Sequence, residues 1–118
     1  MTTVLLVEDD QFIADITGQK LVAVGYEVVV AVDAATAMTL FSDQKPNVVV
    51  LDIDLPDASG SVVLEKIRET SSVPVIVFSN NDDPGIKAEL ESLGANSFFV
   101  KATTEVAELA REIERLIS

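Results

Sequence analysis

Carboxylate side chains follow two apolar runs of this 118-residue chain, at the points where those runs end. Glu8 and Asp9 follow the run VLLV near the start, and Asp52 and Asp54 follow the run VVVL in the middle. Acids that converge on one cleft repel one another, which raises their proton affinity unless a cation binds. Hard divalent cations such as Mg²⁺ bind oxygen, typically one or two carboxylates with waters and a substrate phosphate. Glu8, Asp9 and Asp52 therefore favour a divalent-cation site.

A hydroxyl and an ammonium group end two later apolar runs, where Ser79 follows VIVF and Lys101 follows SFFV. Both can donate hydrogen bonds to phosphoryl oxygens, and a carboxylate such as Asp52 can attack phosphorus to form an acyl phosphate. The protein would then mainly position and stabilise the transferred group. Any one of these residues alone is equally typical of a cap, a structural hydroxyl or a surface charge. Their joint position at run ends favours phosphoryl chemistry.

The elements that would position these groups alternate along the chain. Strands are predicted at Thr3–Glu8, Glu27–Ala31, Asn47–Asp52, Pro74–Ser79 and Asn96–Lys101. Between and after them, apolar residues at spacings of three and four predict five helices. Five such units with short connections predict an α/β fold with a parallel sheet and helices on both faces. Functional groups in such sheets gather at the carboxyl ends of the strands, near the point where strand order reverses.

Local signals predict where the helices begin and end. Four residues are predicted to cap helix N-termini: Asp10, Asp33, Asp83 and Thr104. Gly25 and Gly94 are predicted to end helices in a left-handed conformation. The apolar pattern of the first helix is predicted to include Ile13, Ile16, Leu21 and Val24. No internal repeat or linker interrupts the chain, so one domain over residues 1–118 is expected.

The composition limits both chemistry and partners. Eight basic and 20 acidic residues give a formal net charge of −12, which argues against direct binding of nucleic acid or anionic membranes and favours cations. The chain has no cysteine and no histidine, which excludes thiolate metal sites and imidazole bases. No apolar stretch reaches membrane-spanning length and no basic leader opens the chain. We therefore expect a soluble cytoplasmic protein.

The whole chain resembles the receiver domain of two-component response regulators. Four motifs carry the resemblance in the family's order: VLLVEDD, VVVLDIDLPDASG, VPVIVFSN and SFFVKAT. The resemblance implies a flavodoxin-like, doubly wound five-stranded parallel sheet with strand order 2-1-3-4-5. It also implies a phosphorelay protein, not itself an enzyme, that accepts a phosphoryl group from a histidine kinase or a histidine phosphotransfer protein.

The resemblance assigns roles to the acids and implies Mg²⁺ as the cofactor. Asp52 is expected to be the phosphoacceptor and a metal ligand. Asp9 is expected to bind the ion directly and Glu8 through water, with the backbone carbonyl of Asp54 completing the site.

The resemblance also implies a conformational switch. Ser79 is expected to move towards the phosphate, and Lys101 to pair with it. Phe98 falls at the position of the switch aromatic, whose ring turns inward when the hydroxyl moves. The expected output face comprises the fourth helix, fifth strand and fifth helix, roughly residues 84–118. It would bind a downstream protein partner or effector domain, or a second copy in a homodimer.

Several positions depart from the family's common pattern; Asp54 is acidic at a position that tunes phosphoryl lifetime in the family, and Phe98 lacks the hydroxyl of a tyrosine. Ala102 follows Lys101 where the family usually has proline in a cis peptide, and Asn80 follows Ser79 where a small residue is usual. A cis bond before alanine would cost about 2.5–4 kcal/mol, against about 0.5–1 before proline. We therefore expect either a trans bond with an adjusted loop or a strained cis bond.

Three other functions are consistent with parts of the sequence. The pair Asp52 and Asp54 imitates the aspartate motif of haloacid-dehalogenase-like phosphatases, although their nucleophile normally lies on the first strand. A flavodoxin-like cofactor module would need a phosphate-binding loop after the first strand, where this chain has acids instead. A receiver that works unphosphorylated as a docking module is the remaining alternative.

Overall fold

Five parallel strands form the centre of the molecule, and the computed structural model describes residues 1–118 without a gap. The strands are β1 (Thr3–Val7), β2 (Glu27–Ala31), β3 (Val48–Leu51), β4 (Val75–Ser79) and β5 (Ser97–Val100). The helices are α1 (Gln11–Val24), α2 (Ala34–Gln44), α3 (Gly60–Thr70), α4 (Pro84–Ser92) and α5 (Val106–Ile117), with a 3₁₀ turn at Lys101–Thr103. The sheet order β2-β1-β3-β4-β5 confirms the predicted fold. None of the helices is both long and apolar enough to cross a membrane.

The central strands are buried because helices cover both faces of the sheet. Every residue of β3 and β4 is buried, which explains why these strands are unbroken apolar runs rather than alternating ones. Val49 and Leu51 pack with α2, α3 and α4 in one core cluster. Val48 and Val50 pack with α1 and α5 in the other. The period-two alternation of β3 thus divides its side chains between two separate cores.

Three predicted helix caps are confirmed and the fourth is wrong. The confirmed caps, whose side chains accept backbone N–H bonds, are Asp10, Asp33 and Asp83. Thr104 does not cap α5, because its N–H closes the preceding turn on the carbonyl of Lys101 at 3.5 Å. The helix therefore begins one residue later, with Glu105 at its N-cap and the N–H of Glu105 donating to the Glu108 side chain at 3.4 Å.

The predicted buried face of the first helix is confirmed only in part, since Leu21 is buried and Ile13 is partly buried. Ile16 and Val24 are 38% and 60% exposed. The buried positions are Ala14, Thr17, Gly18 and Leu21. Apolar residues occur on several sides of α1, so the pattern alone did not identify the buried side. Ala14 and Gly18 are small residues on the buried side, and a Cβ added at Gly18 would be in ordinary van der Waals contact with the Val28 side chain, at 3.7 Å.

At the edge of the sheet opposite the acids, one guanidinium group connects two loops. Arg68, near the end of α3, donates to backbone carbonyls of the loops after α3 and α4 and to one amide oxygen. The acceptors are Ser71, Val73, Gly94 and the side chain of Asn96, at 2.7–3.2 Å. Desolvation lowers the pKa of Arg68. All of its hydrogen-bond acceptors are carbonyl or amide oxygens, to which the guanidinium group can donate. This side chain therefore fixes two loops to each other.

Candidate functional site

The carboxyl ends of β1 and β3 place two acids side by side. These strands are neighbours in the sheet, with Val7 paired to Leu51, so Glu8 and Asp52 leave the sheet together. The N–H of Asp52 donates to the Val7 carbonyl at 3.0 Å, which continues the ladder to the point where the side chains diverge from the core. Glu8 is 1% exposed and Asp52 is 6% exposed. The two carboxyl groups therefore lie buried at the end of the hydrophobic core.

A third carboxylate completes a cluster suited to a metal ion. One carboxylate oxygen each from Glu8, Asp9 and Asp52 lies within 4.8 Å of the others. Asp9 is exposed at the rim while the other two are buried, so an ion from solvent would meet Asp9 first. Mg²⁺ prefers carboxylate oxygens with a shell of retained waters. The donors present here therefore fit the ion expected from the sequence.

Lys101 supplies positive charge inside this cluster. Its Nζ lies 2.8 Å from Oδ2 of Asp52 and also contacts Oε1 of Glu8, and its side chain is 10% exposed. Burial acts to lower the pKa of Lys101, but the hydrogen bonds to Asp52 and Glu8 outweigh it and the pKa is raised. Burial raises the pKa of Glu8, against the opposing effect of Lys101. The Lys101 ammonium is therefore shared by two buried acids, and the Asp9 carboxylate lies beside them.

Two of the positions that depart from the family pattern, Asn80 and Ala102, contact each other. The chain contains no cis peptide bond, so the Lys101–Ala102 bond is trans, and Lys101 nevertheless reaches Asp52. The N–H of Ala102, which a proline would lack, donates to Oδ1 of Asn80 at 2.8 Å. This bond joins the loop after β4 to the turn after β5.

Ser79 lies at the same edge of the sheet as the acidic cluster, whereas Phe98 packs beneath α4. Ser79 ends β4 at the same edge as the acids, is 2% exposed, and accepts the N–H of Asn81 at 3.2 Å. Phe98 is half-buried against the core beneath α4, with the Lys87 ammonium 5.4 Å from its ring centroid. A cavity of about 180 Å³ beside the ring is lined by Phe98, Lys87, Asn81 and five other residues. Phe98 is thus placed beside an internal space rather than within the acidic cluster.

The loop between β3 and α3 holds Asp52 through contacts that the sequence did not indicate. Gly60 packs so closely that an added Cβ would lie 2.5 Å from the Asp52 carbonyl oxygen. Both carboxylate oxygens of Asp57 accept backbone N–H bonds from Ala34 and Ala35, at 2.8 and 3.0 Å. Bonding to these two N–H groups at the start of α2 lowers the pKa of Asp57. The close glycine and the cross-link to α2 together fix the loop.

The side chain of Asp54 contributes less than its backbone. It is exposed to solvent, whereas its N–H donates to Oδ1 of Asp52 at 3.3 Å. The two oxygens of Asp52 are thus distinguished, one facing this N–H and the other facing Lys101. The metal-ligand role of the Asp54 carbonyl stays a prediction.

A doubly wound parallel sheet with an acidic cluster and a lysine at its carboxyl edge is the arrangement expected of a receiver domain in two-component signalling. The model of the response regulator receiver domain family matches residues 4–114 of this chain. The chain belongs to this family, as its sequence motifs predicted.

Relatives and solved structures agree with this assignment. The chain is 36% identical over 98 residues to "Probable transcriptional regulator ycf27" of Cyanophora paradoxa, covering 83% of this chain and 41% of that protein. It is 35% identical over 111 residues to "Sensory transduction protein RegX3" of Mycobacterium tuberculosis, covering 94% and 49%. The chain therefore spans less than half the length of these relatives.

Solved receiver domains share the fold over almost the whole chain. A CheY-like receiver domain protein of Methanospirillum hungatei is 26% identical with a TM-score of 0.94, over 99% of this chain and 94% of that one. The receiver domain of Francisella response regulator 1452 is 27% identical with a TM-score of 0.91, over 99% and 97%.

Proposed function

We propose that this chain is a phosphorylation-controlled switch in which Asp52 accepts a phosphoryl group in an Mg²⁺-dependent reaction. Membership of the receiver family establishes a part in two-component signalling. The assignment of residue roles and the nature of the donor are the proposal. The donor would be the phosphohistidine of a histidine kinase or of a histidine phosphotransfer protein.

The observation that carries the proposal is the Lys101 ammonium held between Asp52 and Glu8 at the edge of the sheet. A buried ion pair is a poor device for stability, because desolvation offsets much of its Coulomb attraction. Three buried charges with a fourth at the rim therefore favour a functional explanation. An acceptor carboxylate with a cation already beside it is suited to receive a phosphoryl group, which carries two negative charges as an acyl phosphate.

The chemical step is a displacement at phosphorus. An Oδ atom of Asp52 forms the new O–P bond while the P–N bond to the donor imidazole breaks. The electron pair of that bond stays on the imidazole nitrogen, and the leaving group is neutral imidazole because the other ring nitrogen of the phosphohistidine is protonated. The protein gains an acyl phosphate.

The residues around Asp52 would stabilise the transferred group. Lys101 lies within hydrogen-bond distance of Asp52, so its ammonium is placed to follow the phosphoryl oxygens, and Ser79 would approach from the end of β4. Asp9 and Asp52 would bind Mg²⁺ directly and Glu8 through water. The ion, when bound, would neutralise charge on the phosphoryl oxygens.

The signal would leave through the surface of α4, β5 and α5. Movement of Ser79 towards the phosphoryl group would vacate space near Phe98, whose ring already borders a cavity of about 180 Å³. Phosphorylation would then shift a population between two arrangements of this surface. The active arrangement would bind a protein partner or effector domain, or a second copy of the chain.

Acetyl phosphate provides a test that needs no knowledge of the kinase. The protein is incubated with acetyl phosphate and Mg²⁺, and its intact mass and elution volume are followed. We expect a gain of one phosphoryl group that is lost with a chelator and absent in Asp52→Asn. The matched control is Asp43→Asn, an exposed acid on α2, which should gain normally. An undiminished gain in Asp52→Asn would refute the assignment.

The same preparation tests whether the chain is an enzyme. We propose that it is not, because the phosphoryl group ends on the protein. Hydrolysis of p-nitrophenyl phosphate through many cycles per molecule would instead favour the haloacid-dehalogenase-like alternative. Partner binding that is unchanged by phosphorylation would favour a docking module.

A further inference from the structure

A side-chain hydrogen bond crosses from the end of β4 to the turn that carries Lys101. Oδ1 of Asn80 accepts the N–H of Ala102 at 2.8 Å. Asn80 directly follows β4, and Ala102 is the second residue after β5. These two strands are neighbours, with Ser79 paired to Val100. The bond therefore lies one peptide away from the lysine and one peptide away from the buried hydroxyl.

We propose that Asn80 is a positioning residue for Lys101. By accepting the Ala102 N–H, it holds the trans peptide that follows the lysine and keeps the ammonium between Glu8 and Asp52. Asn80 acts through the backbone and has no assigned contact with the phosphoryl group. The rate effect of this inference rests on the proposed function, whereas the hydrogen bond itself does not.

The turn after β5 has few other means of holding its shape. It is a single 3₁₀ turn of three residues, and such turns have poorer hydrogen-bond geometry than an α-helix. Thr104 closes it on the Lys101 carbonyl at 3.5 Å, and the Thr103 hydroxyl reaches the Val100 carbonyl at 3.4 Å. Both distances are at the long limit for a hydrogen bond. The 2.8 Å bond from Asn80 is the well-formed one.

Packing also contributes little on one side of the turn. A cavity of about 270 Å³ adjoins Asn80, Lys101 and Ala102, with Ile13 and Thr17 of α1 in its opposite wall. A lysine stem has several rotatable bonds, so an anchored backbone determines where its ammonium can reach. Because a cavity lies on this side of the turn, packing restrains the turn little there, and the Asn80 hydrogen bond supplies the restraint.

An asparagine at a strand end is also a common way to satisfy a backbone N–H without any role in function. The chain contains such a case at the opposite edge of the sheet, where Oδ1 of Asn47 accepts the Thr3 N–H at 2.8 Å. The two asparagines are matched in atom, distance and exposure. Asn47→Ala is therefore the control for loss of a stabilising hydrogen bond alone.

The test is a double-mutant cycle on Asn80→Ala and Ala102→Pro. Proline has no N–H, so Ala102→Pro removes the donor of this bond and Asn80→Ala removes its acceptor. The initial rate of phosphoryl gain from acetyl phosphate should fall about fivefold in Asn80→Ala, the factor that one hydrogen bond typically contributes. In the Ala102→Pro background, Asn80→Ala should cause no further fall, because coupled residues are not additive. Asn47→Ala should keep the wild-type rate.

Two spectroscopic readouts report positioning directly. Amide exchange at Ala102 should accelerate about fivefold in Asn80→Ala, and the ¹⁵N signal of the Lys101 ammonium should lose its ion-paired shift. A wild-type rate in Asn80→Ala, an equal fall in both backgrounds, or a matching fall in Asn47→Ala would each overturn the inference. If the wild-type protein takes up no phosphoryl group, the proposed function fails, and the Ala102 and Lys101 signals still decide whether Asn80 positions the lysine.

Discussion

Removal of the Lys101 charge should destabilise the protein in a way that magnesium reverses. Lys101→Met keeps an unbranched stem of similar length and removes the ammonium. Glu8 and Asp52 then face each other at the end of the sheet with no protein cation between them. Because both acids are buried, the cost should appear in the free energy of unfolding and not only in activity.

The magnitude follows from the geometry of the cluster. The carboxylate oxygens lie within 4.8 Å of one another, and two unit charges at that separation repel by about 3.5 kcal/mol at an effective dielectric constant of about 20. Removing one partner of a buried ion pair typically costs about 3–5 kcal/mol. Water entering the opened site will relieve part of this. We expect a loss of about 3 kcal/mol at neutral pH.

Urea unfolding in the presence of a chelator measures this loss. At a slope of about 1.5 kcal/mol per molar, the unfolding midpoint should fall by about 2 M. Added Mg²⁺ should stabilise Lys101→Met more than wild type, because it binds only the folded cluster. Lys20→Met is the control, since Lys20 is exposed on α1 and outside the ion pairs. An unchanged midpoint in Lys101→Met would show that the two acids are not held as a charged pair.

Three further changes test other parts of the structure. Arg68→Ala should lower the free energy of unfolding by about 2–4 kcal/mol in urea, because it orphans several partly buried carbonyls, and Arg68→Lys should recover only part of it. Gly60→Ala should weaken Mg²⁺ binding measured by calorimetry, because its Cβ would lie 2.5 Å from the carbonyl oxygen of Asp52. Hydrogen bonding to Arg115 lowers the pKa of Glu112 from 4.5 to about 2, so ionised Glu112 stabilises the fold above pH 4.5 and this contribution is lost as pH falls towards 2. Thermal unfolding between pH 2 and 5 should therefore be less pH-dependent in Glu112→Gln than in wild type.

Residues at the ends of strands were the most predictable part of the site. An unbroken apolar run implies a strand buried on both faces, and in a parallel sheet all such runs end at one edge. The convergence of Glu8, Asp52 and Lys101 follows from that topology. Their separation along the sequence is unimportant, because the order of the strands in the sheet determines which of these residues become neighbours.

Contacts that depend on how two loops meet could not be predicted. Asp57 binds N–H groups 23 and 22 residues earlier in the chain, and no local signal links it to α2. Asn80 and Ala102 were each recognised as unusual, but only the folded chain shows that they are hydrogen-bonded. The buried face of α1 was predicted only in part: Leu21 is buried as expected, whereas Ile16 is apolar yet 38% exposed and Ala14 is buried instead.

The order of apolar runs and polar ends along the chain determined the fold and the positions of the acids, because the side-chain period of a strand and the direction of a parallel sheet leave few alternatives. The tertiary structure alone decided the charges and bonds within the site: which acids pair with Lys101, which are desolvated, and which loop holds the turn. These depend on separations of a few ångströms between segments remote in sequence. Hydrogen bonds and desolvation change steeply over such separations, and residue types by themselves do not specify them.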